Sequence, residues 1–288
     1  MVTGAGRGIG RAYAQLLAQR GARVVVNDLG GSMEGTGADA DVASAVAADI
    51  EAAGGTATAD VNDVATVPGA QALIDATVEQ FERVDIVINN AGIMRWAQFP
   101  DADAELFARH LAVHLGGSFN TTRAAWPYLV EQRYGRIVMT TSTGMLGLPD
   151  NTAYAAAKAG VVGLMRSLSA AGAPHDIKVN CIAPAAFTRM AGPATPVADH
   201  MAPDLVAPMA AFLAHEECPV SGEIYVAGAG RFARLFLAST NGYVASTPEP
   251  TIEDVAEHWA AINDETGYFV PADLMAWSSA FLGHLFGS

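Results

Sequence analysis

Basic residues, cysteines and long apolar runs are all scarce in this chain, and each scarcity removes a class of function. Lys and Arg number 16 of 288 residues against 30 Asp and Glu, a net charge of −14, and the basic residues form no cluster. A nucleic-acid surface needs a basic patch, so none is expected; the acidity speaks for solubility and names no partner. The two cysteines, Cys181 and Cys218, lie outside any metal-ligand spacing, which argues against a disulfide framework or a metal site and for two small core residues. No run of about 20 uninterrupted apolar residues occurs, so no membrane span is expected. The first residues lead directly into a glycine-rich turn at Gly4 and lack the form of a secretory leader, which makes the cytoplasm the default location. Charged residues are only 16% and apolar ones 51%, the composition of a folded, well-cored chain and not of a disordered one.

What the chain does have begins at Thr3-Gly-Ala-Gly-Arg-Gly-Ile-Gly10. Glycines at Gly4, Gly8 and Gly10 let the backbone turn tightly, approach a pyrophosphate and seat a helix on a strand, and the helix that follows aims its first amides at the phosphates. Arg23-Val-Val-Val-Asn27 reads as a buried parallel strand, and Asp28 stands at its carboxyl end, 18 residues past Gly10. An acid there accepts hydrogen bonds from adenosine ribose hydroxyls and repels a 2′-phosphate, so the cofactor expected is NAD, ahead of NADP. Only Met1 and Val2 precede Thr3, whereas strands have about five residues. The first strand is therefore expected to be truncated at a cost in stability, with Met1 set too late or the chain a fragment.

Periodicity and punctuation place helices over about 9–19, 42–53, 68–81, 103–133 with a kink near Gly116-Gly117, 154–171 and 204–215. Strands are expected over 56–61, 85–89, 136–140, 176–182 and 223–227. This alternation implies one α/β domain over residues 1–230, a Rossmann-like doubly wound parallel sheet with helices on both faces and ligands at the strands' carboxyl ends. Residues 188–203, rich in Ala, Pro and Gly, are expected to form a mobile lid. Residues 231–288 form a C-terminal extension whose aromatics argue for packing on the domain or on a partner subunit, with Thr251-Ile-Glu-Asp254 as a capping box before a helix over 255–262.

Tyr154-Ala-Ala-Ala-Lys158 opens the helix after the strand over 136–140. Residues four apart share a helix face, so a phenol and an ammonium can meet at one site, a proton-transfer device. On a surface helix the same spacing is an ordinary amphipathic edge.

Taken with that pair, the glycine turn, Asp60-Val61, Asn89-Asn-Ala-Gly92, the Ser142 region and Pro184 with Thr188 resemble, in order and spacing over residues 2–230, the short-chain dehydrogenases/reductases. Within that family, Val24-Val-Val-Asn-Asp-Leu-Gly-Gly31, Val113-His-Leu-Gly-Gly-Ser-Phe119, Thr122-Arg-Ala-Ala-Trp126, Tyr134-Gly-Arg-Ile-Val-Met139 and Val226-Ala-Gly-Ala-Gly230 are similar to the hydroxyacyl-CoA dehydrogenase domains of type 2 peroxisomal multifunctional enzymes and their bacterial single-domain relatives. The resemblance implies hydride transfer between NAD and a secondary alcohol or ketone, a 3-hydroxyacyl-CoA among the candidates, by a homodimer or homotetramer. The alternatives are a steroid-like or other bulky alcohol as substrate, or a catalytically weak NAD-binding protein. Tyr154 would be the acid/base, and Lys158 would lower its pKa and hold the nicotinamide ribose. Gly4, Arg7, Gly8, Ile9, Gly10, Asp28, Asp60, Val61, Asn89, Ala91, Gly92, Pro184 and Thr188 would line the cofactor.

Two departures leave roles open. The family's serine usually stands 13 positions before the tyrosine, where this chain has Thr141, with Ser142 one later; Ser142 is the hydroxyl expected to orient the substrate oxygen, and Thr141, whose extra methyl crowds the site, is the alternative. The helix residue that is often Asn in the family is His114 here, to be read either as a structural histidine or as a relay partner.

Overall fold

Arg23-Val-Val-Val-Asn27 has valine on both faces, and it becomes a strand with its three valines sealed from solvent in the computed structural model of the chain. The structure describes residues 1–191 and 198–286. They fall into two compact units, Met1–Arg234 and Leu235–Ser288.

In chain order the first unit contains β1 (Val2–Thr3), α1 (Gly8–Gln19), β2 (Arg23–Asn27), α2 (Asp41–Ala52), β3 (Thr56–Asp60), α3 (Val67–Phe81) and β4 (Ile86–Asn89). It continues with α4 (Ala104–His110), α5 (Gly117–Gln132), β5 (Gly135–Thr140), α6 (Thr152–Gly172), β6 (Ile177–Pro184), α7 (Ala207–Leu213), β7 (Ile224–Gly228) and β8 (Arg231–Leu235), whose last residue crosses the boundary. The sheet order is β3-β2-β1-β4-β5-β6-β7-β8. All neighbours from β3 to β7 are parallel, with Val2 opposite Val26 on one side and Ile88 on the other. The strand order reverses at β1, so β1 and β4 flank the crevice where such sheets take ligands. The expected doubly wound sheet is present, and its first strand is indeed the shortest, two residues between neighbours of five and four.

The core explains why these segments pair. Val24, Val26, Ile88, Val138 and Ile182 of the sheet pack with Leu17 of α1, Val46 and Ile50 of α2, and Leu213 of α7 in one apolar cluster. Each such side chain, fully buried, stabilises by about 1.5–3 kcal/mol. Helix α5 packs against both α3 and α6. Among the described residues no helix is long and apolar enough to cross a membrane.

Four elements differ from expectation. The kink near Gly116-Gly117 is a π-helical turn, Leu111–Gly116, inserted between α4 and α5 with helical dihedrals at both of its ends. The 204–215 helix shortens to α7, preceded by a 3-10 turn at Pro203–Leu205. Pro208 lacks an amide hydrogen and is tolerated only in a first turn, so the helix must start there. Beyond Gly228 the sheet gains β8 through Ala229-Gly230, a link far too short for a parallel crossover and therefore antiparallel. Of the expected lid, residues 192–197 lie outside the described residues; the rest forms short 3-10 turns at Arg189–Ala191, Ala198–Met201 and Pro203–Leu205.

The second unit holds α8 (Ile252–Glu257), α9 (Trp259–Ile262) and α10 (Leu274–Leu282). The capping box is formed between Thr251 and Asp254, so the helix begins at Ile252, ahead of the expected Val255, and breaks at His258. Helix α10, capped by Asp273, was not foreseen. Ring pairs Tyr243–His258 and Trp277–Phe281, 3.7 and 4.7 Å between centroids, hold the unit's aromatics together.

The turn after β1 tolerates no side chain at its tenth residue. A Cβ on Gly10 would collide with the carbonyl of Gly4 and come within 2.5 Å of Asn90 Nδ2. Gly10→Ala should therefore lower the unfolding free energy in urea by roughly 1–3 kcal/mol; an unchanged midpoint would show that the turn has slack.

Candidate active site

Glycine at Gly4 and Gly8 is required by the backbone, which takes φ of +61° and +53° there. The turn is clasped to β4. Thr3 Oγ1 accepts from the amides of Asn90 and Ala91, both at 3.0 Å, and Asn90 Nδ2 donates to the carbonyls of Thr3 and Gly4 at 3.0 and 3.1 Å. No side chain caps α1, whose N-cap is Arg7. Its first amides therefore remain available to an anion at the helix's positive end.

Asp28 follows β2. Its Oδ2 accepts from Gly6 N at 2.9 Å and its Oδ1 from Gly30 N at 2.7 Å, so the carboxylate is oriented by backbone. Arg7 and Arg189 converge on the carbonyl of Gly31, at 3.1 and 3.4 Å. Burial, helped by Arg7, lowers the pKa of Arg189, and Asp28 opposes the shift.

A cavity of about 670 Å³ runs along the strands' carboxyl ends. Of the residues singled out in the sequence, Gly4, Arg7, Gly8, Ile9, Gly10 and Asp28 line it, as do Ala91, Gly92, Ser142, Tyr154, Lys158, Pro184 and Thr188. Asp60, Val61 and Asn89 do not. The Asp60 carboxylate holds Asn27 and Asn62 (2.7 Å to each side-chain nitrogen), and Asn89 lies beneath the floor, bonded to Thr121 and Thr122. The Asp-Val pair of Asp60-Val61 recurs three residues later, and the cavity takes that later copy, Asp63-Val64, together with Asn62. β3 ends at Asp60, and a pocket beyond strand ends is lined by what comes after them; that rule could have identified Asp63. Asn90, equally unforeseen, both lines the cavity and clasps the turn.

At the other end of the cavity, α6 puts Tyr154 and Lys158 on one face, four residues apart. The Lys158 ammonium is buried, donates to the carbonyl of Thr140 at 2.6 Å and lies 5.6 Å from the centre of the Tyr154 ring. Burial pulls its pKa from 10.5 down to about 7. Burial raises Tyr154, and a hydrogen bond with Ser142 pulls the other way. The lowering of Tyr154 implied for Lys158 is thus not the dominant influence among the chain's own groups. Of the two competing hydroxyls, Ser142 lines the cavity beside Tyr154, whereas Thr141 is fully buried with Oγ1 donating to the carbonyl of Lys158 at 2.8 Å. Thr140, 8% exposed and also in the lining, has a hydroxyl with no partner. His114 is buried edge-on to Tyr154, 5.2 Å between ring centres at 90°, and its Nδ1 is unpartnered. Met94, Trp96, Leu148, Phe187 and Met190 make the neighbouring wall apolar.

The family model described as short chain dehydrogenase matches residues 1–196. A short-chain type dehydrogenase/reductase of Mycobacterium tuberculosis is 44% identical over 270 residues, 93% of this chain and 94% of that protein. The structure of full-length peroxisomal multifunctional enzyme type 2 from Drosophila melanogaster superposes with a TM-score of 0.83 at 32% identity over 99% of this chain, which spans 48% of that one. A 7α-hydroxysteroid dehydrogenase solved with NADH and 7-oxo-glycochenodeoxycholic acid gives 0.72 at 30% identity, covering 80% of this chain and 92% of that one.

A buried ammonium is costly to the fold. With its pKa near 7 in the folded chain and 10.5 as the ordinary value, Lys158 makes the unfolded state bind more protons between these limits. Stability from this group therefore rises with pH through that window and is lowest below about 7. Lys158→Met should raise the unfolding free energy near pH 6 by on the order of 1–4 kcal/mol, an advantage that shrinks towards pH 10; a variant less stable than the parent at both ends would contradict the assignment.

Proposed function

Since the chain belongs to the short-chain dehydrogenases, an oxidoreductase family, we propose that it transfers a hydride between NAD and a bulky secondary alcohol or its ketone. The single observation that carries this reading is the cavity joining the glycine turn and Asp28 at one end to Ser142, Tyr154 and Lys158 at the other. The residues fit a dinucleotide. The left-handed glycines leave open backbone where phosphates would lie, and α1 keeps its first amides free. Asp28, a fixed acceptor, favours ribose hydroxyls over a 2′-phosphate, and Arg7 and Arg189 are drawn to the Gly31 carbonyl.

Bound NAD supplies the hydride acceptor and, in its oxidised form, a positive charge. The rest falls to the chain. Ser142 donates a hydrogen bond to the substrate oxygen and holds it against Tyr154. Tyr154 takes the hydroxyl proton as the carbinol C–H bond breaks, and returns it when the ketone is reduced. Lys158, anchored on Thr140, favours the phenolate whenever it carries its proton. Met94, Trp96 and Phe187 give this end an apolar lining.

The substrate class follows the apolar wall. A 3-hydroxyacyl-CoA is the first candidate, on the likeness to the multifunctional enzyme; a steroid-like alcohol is the second, on the likeness to the hydroxysteroid enzyme. The same reading makes the protein a cytoplasmic homo-oligomer. A second hollow of about 590 Å³ on α5 and α6, lined by Phe119, Trp126, Tyr128 and Leu168, suits pairing with another copy.

NADH formation should be followed with both alcohol classes, with NADP as the competing cofactor. Tyr154→Phe should fall by about 10²–10⁴-fold and Ser142→Ala by about 10²–10³-fold, while Thr141→Val stays within a few-fold and NAD outperforms NADP. Turnover that survives Tyr154→Phe, or a larger loss in Thr141→Val than in Ser142→Ala, would overturn the assignment.

A further inference from the structure

The segment Gly92-Ile-Met-Arg-Trp96 leaves β4 without helix or strand of its own, yet it supplies Gly92, Ile93, Met94 and Trp96 to the cavity wall. Its backbone groups must find partners elsewhere. Met94 N donates to the carbonyl of Met33 at 2.9 Å. The others meet two histidines. Arg95 N donates to His110 Nε2 at 3.4 Å, and His114 Nε2 lies 2.9 Å from Ile93 O and 3.3 Å from Ile93 N.

These contacts assign the tautomers. His110 Nδ1 is 2.9 Å from the carbonyl of Leu106, which only accepts, so Nδ1 carries the proton and Nε2 is left to accept from Arg95. For His114 the shorter contact is to the Ile93 carbonyl, which puts the proton on Nε2 and leaves Nδ1 a buried lone pair without a partner. Both rings are therefore neutral. Burial is the chief reason and, for His114, the Lys158 ammonium adds to it. The rings stack on each other at 5.8 Å and 23°. His114 sits in the π turn, and π turns often mark functional positions. It also touches the two things that matter for chemistry. Its ring is edge-on to Tyr154, and it is pressed so closely on Gly92 that a Cβ there would lie 2.6 Å from its Cε1.

We propose that His110 and His114 form a stacked positioning pair: they hang the 92–96 segment so that Met94 and Trp96 face the substrate, and the His114 ring sets the orientation of the Tyr154 phenol. His114 is a positioning residue and carries no proton in the reaction. The kinetic part of this inference rests on the oxidoreductase reading above; the structural part does not.

The test uses the full chain with His114→Phe, which keeps an aromatic ring without hydrogen bonds, His114→Gln, which keeps a donor at the end of the side chain, and His110→Phe. The probes are NAD with 2-octanol, a 3-hydroxyacyl-CoA and a hydroxysteroid. We expect His114→Phe to lose at least about tenfold in kcat/KM, His114→Gln to recover most of it, and the pH profile of kcat to keep its shape in both. Hydrogen exchange, which needs no turnover, should be at least about tenfold faster at the Arg95 amide in His110→Phe and His114→Phe than in the parent. Equal loss in His114→Gln and His114→Phe with an altered pH profile would make His114 a proton carrier and overturn the proposal, as would unchanged kinetics in His114→Phe. If the parent forms no NADH at all, the oxidoreductase reading fails by itself. Exchange at Arg95 then still decides the pair, since unaltered protection in both Phe variants would refute it.

Discussion

The hydrogen bond from the Lys158 ammonium to the Thr140 carbonyl, 2.6 Å long and sealed from solvent, joins helix α6 to the end of strand β5. Everything at the reactive end of the cavity is placed relative to it. It fixes the rotation of α6, and with it the direction of Tyr154 one turn earlier. The return contact from Thr141 Oγ1 to the Lys158 carbonyl locks the same junction from the other side and turns Ser142 towards the phenol. A cation buried this way opposes folding, since water solvates an ammonium far better than one carbonyl can. Burial also tunes it, bringing the pKa to about 7, and strongly shifted groups of this kind cluster at functional sites.

The other end of the cavity depends on close approach of backbone. Thr3 and Asn90 tie the two strands on either side of the switch point, so the glycine turn, the amides of α1 and the Asp28 carboxylate share one rigid frame. Between the two ends lies the 92–96 segment, which has no regular structure and borrows its rigidity from two imidazoles. Under the proposed function the labour divides: backbone and an acid for a dinucleotide, a phenol, hydroxyl and ammonium for the proton, and an apolar wall for the carbon skeleton.

Much of this was legible in the sequence because the signals are local. A run of three valines between Arg23 and Asn27 can only be a buried strand, and a Tyr and Lys four apart on a helix must share a face. The family resemblance carried by those motifs also holds. What was not legible depends on registers that no local pattern encodes. Two Asp-Val pairs occur three residues apart, and only the end point of β3 decides that Asp63 and not Asp60 reaches the cavity. Thr141 and Ser142 alternate between the two sides of the chain as it leaves β5, so Ser142 lines the cavity and Thr141 is in the core, whereas counting back 13 positions from Tyr154 points to Thr141. The π turn adds a residue to a helix without changing its composition, which is why it read as a kink at the glycines. β8 was hidden because the Gly-Ala-Gly turn before it looks like the end of a domain.

The central claim is that a carbon-bound hydride leaves the substrate directly for the nicotinamide while its hydroxyl proton passes to Tyr154. The most direct measurement is isotope transfer: a secondary alcohol deuterated at the carbinol carbon is oxidised in ordinary water, and the reduced cofactor is weighed by mass spectrometry. The account predicts one deuterium in every reduced nicotinamide formed. Cofactor reduced without deuterium, with the label released to solvent, would contradict it.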